Sequence, residues 1–231
     1  SFVVTTISIM LLKPFASKIG LIDRPSKRKI HIGNIPMIGG ISIFLGVFIS
    51  TILYVINDYT LLVFITSSFF ILILGYVDDF KPLPPILKVL IQFVIVFLVI
   101  WLTDLKFETF GHSFGFSYQI SLGILSYPIT LIGVIFITNA FNLMDGADGV
   151  ASGLALLVII AMYVIQPLFF GFYYNVISVA LAGSLIPFLW FNLSRVPKTK
   201  IFLGDNGSLF LGYSIAFLLL YETQYQKSFS P

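Results

Sequence analysis

Long apolar runs, each broken by a short polar cluster, constrain this chain more than any other feature of it. The runs cover roughly 1–19, 38–56, 61–77, 86–103, 122–142, 150–169, 173–193 and 206–221. A helix crosses the hydrocarbon core of a bilayer with about 20 mostly apolar residues, and these runs have that length and character. Hydrophobic residues make up 58% of the 231 positions and charged residues 10%, against about 25% charge in an ordinary soluble domain. Mean hydropathy is +1.03. The expectation is an all-α, polytopic integral membrane bundle of about eight transmembrane helices, forming one domain over 1–231. Its core would come from helix packing in lipid.

The chain has no cysteine, which excludes disulfides, thiolate metal sites and cysteine nucleophiles. It starts at Ser1, inside an apolar run already interrupted at Lys13, with no recognisable signal peptide; the expectation is an N-terminal end that has been cut. Eight crossings put 20–37, 78–85, 143–149 and 194–205 on one side of the membrane. Lys13, Lys18, Arg24, Lys27, Arg28, Lys29, Lys81, Lys88, Arg195, Lys198 and Lys200 lie on or next to that side, and only Lys106 and Lys227 on the other. The positive-inside rule makes the first side cytoplasmic. On the far side, Phe107, Phe110, Phe114, Phe116 and Tyr118 suit an interfacial aromatic belt, and His112 reads as a loop residue. Pro14, Pro128, Pro167 and Pro187 read as ordinary bends in membrane helices.

Four polar clusters fall on the cytoplasmic side. Asp78-Asp79 end the third run, and Pro82, Pro84 and Pro85 then break one helix and start the next. Adjacent carboxylates repel unless cations or donors attend them; alone, the pair reads equally well as a solvated helix end. Lys88 can place an ammonium beside it, and Gln92 lies one turn further on the same helical face. Asn139, Asn142, Asp145 and Asp148 recur every three residues, so a helix end would stack them along one side. Their oxygens suit a hard cation such as Mg²⁺, whereas a polar packing motif is the bland alternative. Gly204-Asp205-Asn206-Gly207-Ser208 would open the last helix, aiming backbone N–H groups at an anion, with Asp205 or Asn206 as cap. In the Asp23–His31 cluster, topology and attraction to anionic headgroups are explanation enough, and direct contact with a phosphate is the sharper alternative.

The ordered set DRPSKRKIH…IPMIGG, VDDF…K…Q, NAFNLMDGADG and FLGDNGS resembles the polyprenyl-phosphate N-acetylhexosamine-1-phosphate transferases, most closely their WecA-type branch, from Lys13 to the C-terminus. The resemblance implies transfer of N-acetylglucosamine-1-phosphate, or a related amino-sugar phosphate, from a UDP-N-acetylhexosamine to undecaprenyl phosphate. UMP would be released at the cytoplasmic face of a bacterial inner membrane, to start a cell-surface polysaccharide. It implies Mg²⁺, with Mn²⁺ as a substitute, held by Asn142 and Asp205. Asp148 would read the uracil and Lys88 would contact phosphate. Asp78 and Asp79 would lie by the lipid phosphate and reaction centre, Asp145 would order the site, and Asn139, Gly204 and His31 would lie on the substrate. Partners would be the two substrates and the bilayer, with a homodimer allowed and no nucleic acid. Two departures stand out. Pro82 replaces the third aspartate of the family's DDxxD pattern, and the chain stops at Pro231, before the family's last spans and its H-x-H-H loop. The expectation is a fragment cut at both ends and inactive as it stands. An intramembrane prenyltransferase fits the GDNGS segment and Lys88 poorly. A transporter would place polar groups at mid-membrane rather than at one face.

Overall fold

The computed structural model describes residues 1–23, 33–109, 121–170 and 175–225. Within them the helices are α1 (Phe2–Leu12), α2 (Gly39–Val55), α3 (Tyr59–Phe80), α4 (Pro85–Thr103), α5 (Ser126–Met144), α6 (Val150–Phe170), α7 (Val176–Asn192) and α8 (Gly204–Leu220). The apolar runs and the helices coincide to within a few residues except in the first run, 1–19, where α1 ends at Leu12 and a 3-10 turn follows. Three segments are long and apolar enough to cross a membrane by length and composition: Tyr59–Phe80, Pro85–Thr103 and Gly123–Met144. Four more apolar helices are shorter. The structure is thus a helical, membrane-associated bundle, and the expected figure of eight crossings exceeds what helix length alone supports.

Helix α8 forms the centre. Fourteen of its residues are buried, and it packs against α2, α3, α5 and α6. Its composition explains this position. Gly207, Ser208, Gly212, Ser214 and Ala216 have small side chains, which let neighbouring backbones come close where lipid supplies no hydrophobic drive. A side chain at Gly212 would collide with Thr138 and Phe141 of α5. Tyr213 of α8 pairs across helices with Ser67 of α3, at 2.6 Å between hydroxyls. By contrast α4 buries only Gln92, Val96, Val99 and Ile100, a stripe at helical spacing. Its other faces are apolar and outward, as a lipid-facing helix requires.

One element departs from the all-α expectation. Ile22–Asp23 (β1) pairs antiparallel with Ile35–Pro36 (β2). The chain after α7 extends this ribbon: Phe202 N–H donates to Pro36 O at 2.8 Å, and Gly39 and Gly40 N–H donate to Phe202 O and Leu203 O. Pro36 has no N–H to offer, but its carbonyl still accepts. These bonds fix the start of α2 beside the start of α8. The basic segment 24–32, with His31, and the aromatic residues 110–118 lie outside the described residues. Pro14 sits in a 3-10 turn after α1 and Pro187 within α7.

Candidate active site

All the described polar clusters converge at one end of the bundle, where α3, α5 and α7 finish and α4, α6 and α8 begin. The opposite end carries a separate set, in which Asp58 meets Tyr221 and Asn175 meets Glu222.

The adjacent carboxylates of α3 do different things, because successive helical residues point about 100° apart. Asp78 accepts from Leu83 N at 2.7 Å and from Lys88 Nζ at 2.6 Å. The prolines between make this possible, turning the chain so that α4 starts beside the end of α3. Asp79 reaches the opposite way, into the start of α8. Its Oδ1 accepts from Asp205 N at 2.8 Å, and its Oδ2 accepts from Asn206 N at 3.0 Å and Asn206 Nδ2 at 2.6 Å. Leu203 at the N-cap position supplies no side-chain acceptor, so a carboxylate from another helix caps α8. Here the structure corrects the sequence reading. Neither Asp205 nor Asn206 caps the helix, and the anion its N–H groups receive belongs to the chain itself. Gly204 (φ +77°) makes the approach possible, since a Cβ there would meet the Asp79 carboxylate. Gly40 and Gly75 serve likewise, facing Asn206 with Gly207, and Asp205 with Asn206.

Around Asp205 the oxygen-bearing groups crowd together. Asn142 Nδ2 donates to Asp205 Oδ1 at 2.8 Å and to Ser208 Oγ at 2.9 Å. The Asp78 and Asp205 side chains lie within hydrogen-bonding reach of each other. Asp145, just beyond α5, has its carboxyl pushed up to about 8, chiefly by burial and then by the charges of Asp205, Asp79 and Asp148. The expected three-residue column is only half present. Asn139 and Asn142 do stack on α5, but the helix ends at Met144, and Asp145 and Asp148 lie in the turn before α6. Glycines at 146 and 149 stop the helix; Gly149 sits at φ +74°, a conformation that favours glycine.

That turn is anchored by residues the sequence reading did not single out. Asn192, at the end of α7, accepts from Gly149 N at 2.7 Å and donates to Ile201 O at 2.9 Å, tying the Asp145–Asp148 turn to the approach to α8. Lys200 pairs with Asp148 and lies 5.5 Å from the Phe202 ring centroid. Asn206, which the sequence offered only as a cap, is fully buried at the start of α8 and also donates to Met37 O. The one available signal was buried-type amides next to the glycine-rich motifs, and it is weak.

Among the described residues no group of three or more His, Cys, Asp or Glu side chains is arranged to hold a metal ion. The donor set nevertheless fits Mg²⁺, which uses one or two carboxylates and keeps waters and substrate phosphates. The Asn142 amide turns its N–H toward Asp205. Rotating that amide would present oxygen instead, giving two oxygen ligands on neighbouring helices.

A profile described as glycosyl transferase family 4 matches residues 60–223, which contain Asp78, Asp79, Lys88, Asn142, Asp145, Asp148 and Asp205. The chain belongs to that family. Within glycosyl transferase family 4 it is similar to a Bacillus subtilis (strain 168) protein named "Probable undecaprenyl-phosphate N-acetylglucosaminyl 1-phosphate transferase", at 36% identity over 225 residues. That match covers 95% of this chain and 62% of the relative. The undecaprenyl-phosphate alpha-N-acetylglucosaminyl 1-phosphate transferases of Salmonella typhi and Escherichia coli (strain K12) are 33% and 30% identical, each over 96% of this chain and 61% of the relative. The chain therefore spans about three-fifths of the length of these relatives.

Proposed function

We propose that the full protein transfers an N-acetylhexosamine-1-phosphate, N-acetylglucosamine-1-phosphate first among them, from its UDP-sugar to undecaprenyl phosphate at the cytoplasmic face of a bacterial inner membrane. The lopsided distribution of lysines and arginines along the sequence supports that orientation. The observation that carries the reading is the convergence of Asp78–Lys88, Asp79–α8 and Asn142–Asp205 at one end of a lipid-facing bundle. A water-soluble anion can arrive there from solution while a lipid phosphate arrives along the membrane surface.

The residues divide the work as follows. Lys88 binds phosphate by exchanging its Asp78 partner for the lipid phosphate, which is largely ionised near neutral pH because its second pKa is about 6. One of its oxygens attacks the β-phosphorus of the UDP-sugar. A new P–O bond forms, the bond from the β-phosphorus to the bridging oxygen breaks, and UMP leaves with that oxygen. Asp78, released from Lys88, accepts any residual proton. Asp79 positions Asp205 by holding the start of α8. Asp148 and Lys200 receive the nucleotide. Asn142 and Asp205 would hold Mg²⁺, which supplies neutralisation of charge on the diphosphate.

The test uses membranes containing the full-length protein, incubated with UDP-N-acetylglucosamine, Mg²⁺ and undecaprenyl phosphate. UMP and a lipid-linked sugar phosphate should appear together and require all three additions. Absence of both products, with the protein folded, would remove this reading. A phospho-enzyme trapped from labelled UDP-sugar without lipid would replace direct attack by a covalent route.

A further inference from the structure

Gln92 is 1% exposed, on a helix whose other faces look outward, and among the described residues its Nε2 has no hydrogen-bond partner. A buried amide donor without an acceptor is uncommon and needs a reason. Gln92 Oε1 accepts from Asn139 Nδ2 at 2.6 Å, and the same Nδ2 donates to Ile135 O at 2.8 Å. The backbone carbonyl of Ile135 settles which way the Asn139 amide faces, because turning its oxygen there would set two acceptors against each other. With both Asn139 N–H groups facing inward, Gln92 must present oxygen; flipping it would set donor against donor. The orphaned Nε2 follows from that arrangement. Asn139 itself is half-buried, and among the described residues its side-chain hydrogen bonds all run through Nδ2, leaving Oδ1 without a partner there. It lies one turn before Asn142 on α5, as Gln92 lies one turn after Lys88 on α4.

We infer that Gln92 is a positioning residue: together with the Ile135 carbonyl it holds the Asn139 amide with its carbonyl oxygen outward, as an acceptor for a hydroxyl or amide N–H of the sugar nucleotide. This rests on the proposed function and adds to it a determinant of donor-substrate binding buried in the membrane-facing helix α4. The unsatisfied donor is the structural cost of that lock, as happens where function is favoured over stability.

The prediction separates this role from mere packing. In the full-length protein, Gln92→Met keeps the volume, removes the orphaned donor and frees Asn139. Its melting temperature in detergent should stay the same or rise, while KM for UDP-N-acetylglucosamine rises about three- to tenfold, the range for one neutral hydrogen bond. The Mg²⁺ dependence and kcat should stay close to wild type. Gln92→Glu, which keeps an acceptor toward Asn139, should restore most of the affinity. Gln92→Met combined with Asn139→Ala should bind no worse than Asn139→Ala alone, because coupled residues are not additive. A lowered melting temperature with unchanged KM, or additive effects in the double variant, would overturn the assignment. Binding is also followed without lipid acceptor, as thermal stabilisation by UDP and by UDP-N-acetylglucosamine. A penalty seen with both ligands assigns the donor group to the nucleotide, and one seen only with the second assigns it to the sugar. A wild type that binds UDP-N-acetylglucosamine but transfers nothing sinks the proposed reaction alone; one that binds neither ligand sinks the Asn139 inference as well.

Discussion

Removing the Asp79 carboxylate should disturb folding and catalysis together, and the size of the first effect follows from the hydrogen bonds it makes. Three N–H donors at the start of α8 converge on its two oxygens. In Asp79→Ala the backbone N–H groups of Asp205 and Asn206 lose their acceptor within a packed bundle, next to the positive end of a helix dipole. Losing an N-cap costs about 0.5–2 kcal/mol, and an unsatisfied buried donor about 1–3 kcal/mol. Relief of repulsion from Asp78 and Asp145 offsets part of this, leaving roughly 2–4 kcal/mol. At about 2–4 °C per kcal/mol for a chain of 150–250 residues, the melting temperature should fall by about 4–16 °C. Fluorescence-detected size-exclusion after graded heating in detergent measures it. Asp79→Asn keeps one acceptor oxygen and should fall between the wild type and alanine. Transfer activity should drop in the same order, because Asp205 moves with the end of α8. A wild-type melting temperature in Asp79→Ala, with kcat alone lost, would refute the capping argument and return Asp79 to the chemistry.

Three other perturbations probe the same end of the bundle. Asp145 has its carboxyl raised to about 8, so the folded protein keeps a proton that the unfolded chain has lost. Stability in EDTA should therefore fall as pH rises from about 4 to about 8, and a melting series in which Asp145→Asn keeps the wild-type slope would contradict this. Asp205→Asn removes a carboxylate from a crowded cluster, so its melting temperature in EDTA should rise while stabilisation by Mg²⁺ and sugar-phosphate transfer disappear; near-normal turnover at ordinary Mg²⁺ would exclude Asp205 as a ligand. Lys200→Met should leave the fold intact, free Asp148 and raise KM for the UDP-sugar several-fold, read from initial rates; an unchanged KM would detach Lys200 from nucleotide binding.

The helices were legible because apolar runs of membrane length have few other solutions, and the family was legible because its motifs occur in order. Distances between the motifs were not. Nothing in the run VDDF distinguishes Asp78 from Asp79, since both are carboxylates at a helix end. Their roles separate only when α4 folds back to put Lys88 on one side and α8 arrives on the other. The glycines of GDNGS invited a ligand anion, yet Gly204 makes room for an internal carboxylate and Gly40 and Gly75 make room for α8 itself. Period-three spacing at Asn139–Asp148 suggests a helix end that stacks all four, whereas the helix stops at Met144 and leaves Asp145 and Asp148 in the turn before α6.

The physical logic of the site lies in this substitution of internal partners for external ones. Asp78 holds Lys88, Asp148 holds Lys200, and the Asn142 amide holds Asp205, so each of these six groups meets an internal partner. A phosphate on Lys88, a nucleotide at Asp148 and a cation on Asp205 can each displace one partner without leaving a bare charge near hydrocarbon, where such a charge is costly. Asp79 is the exception. Its oxygens face the N–H groups of α8 rather than another side chain's charge, and a substrate cannot supply those donors. Exchange therefore stops at Asp79, and the helix that carries Asp205 stays fixed while its neighbours change partners.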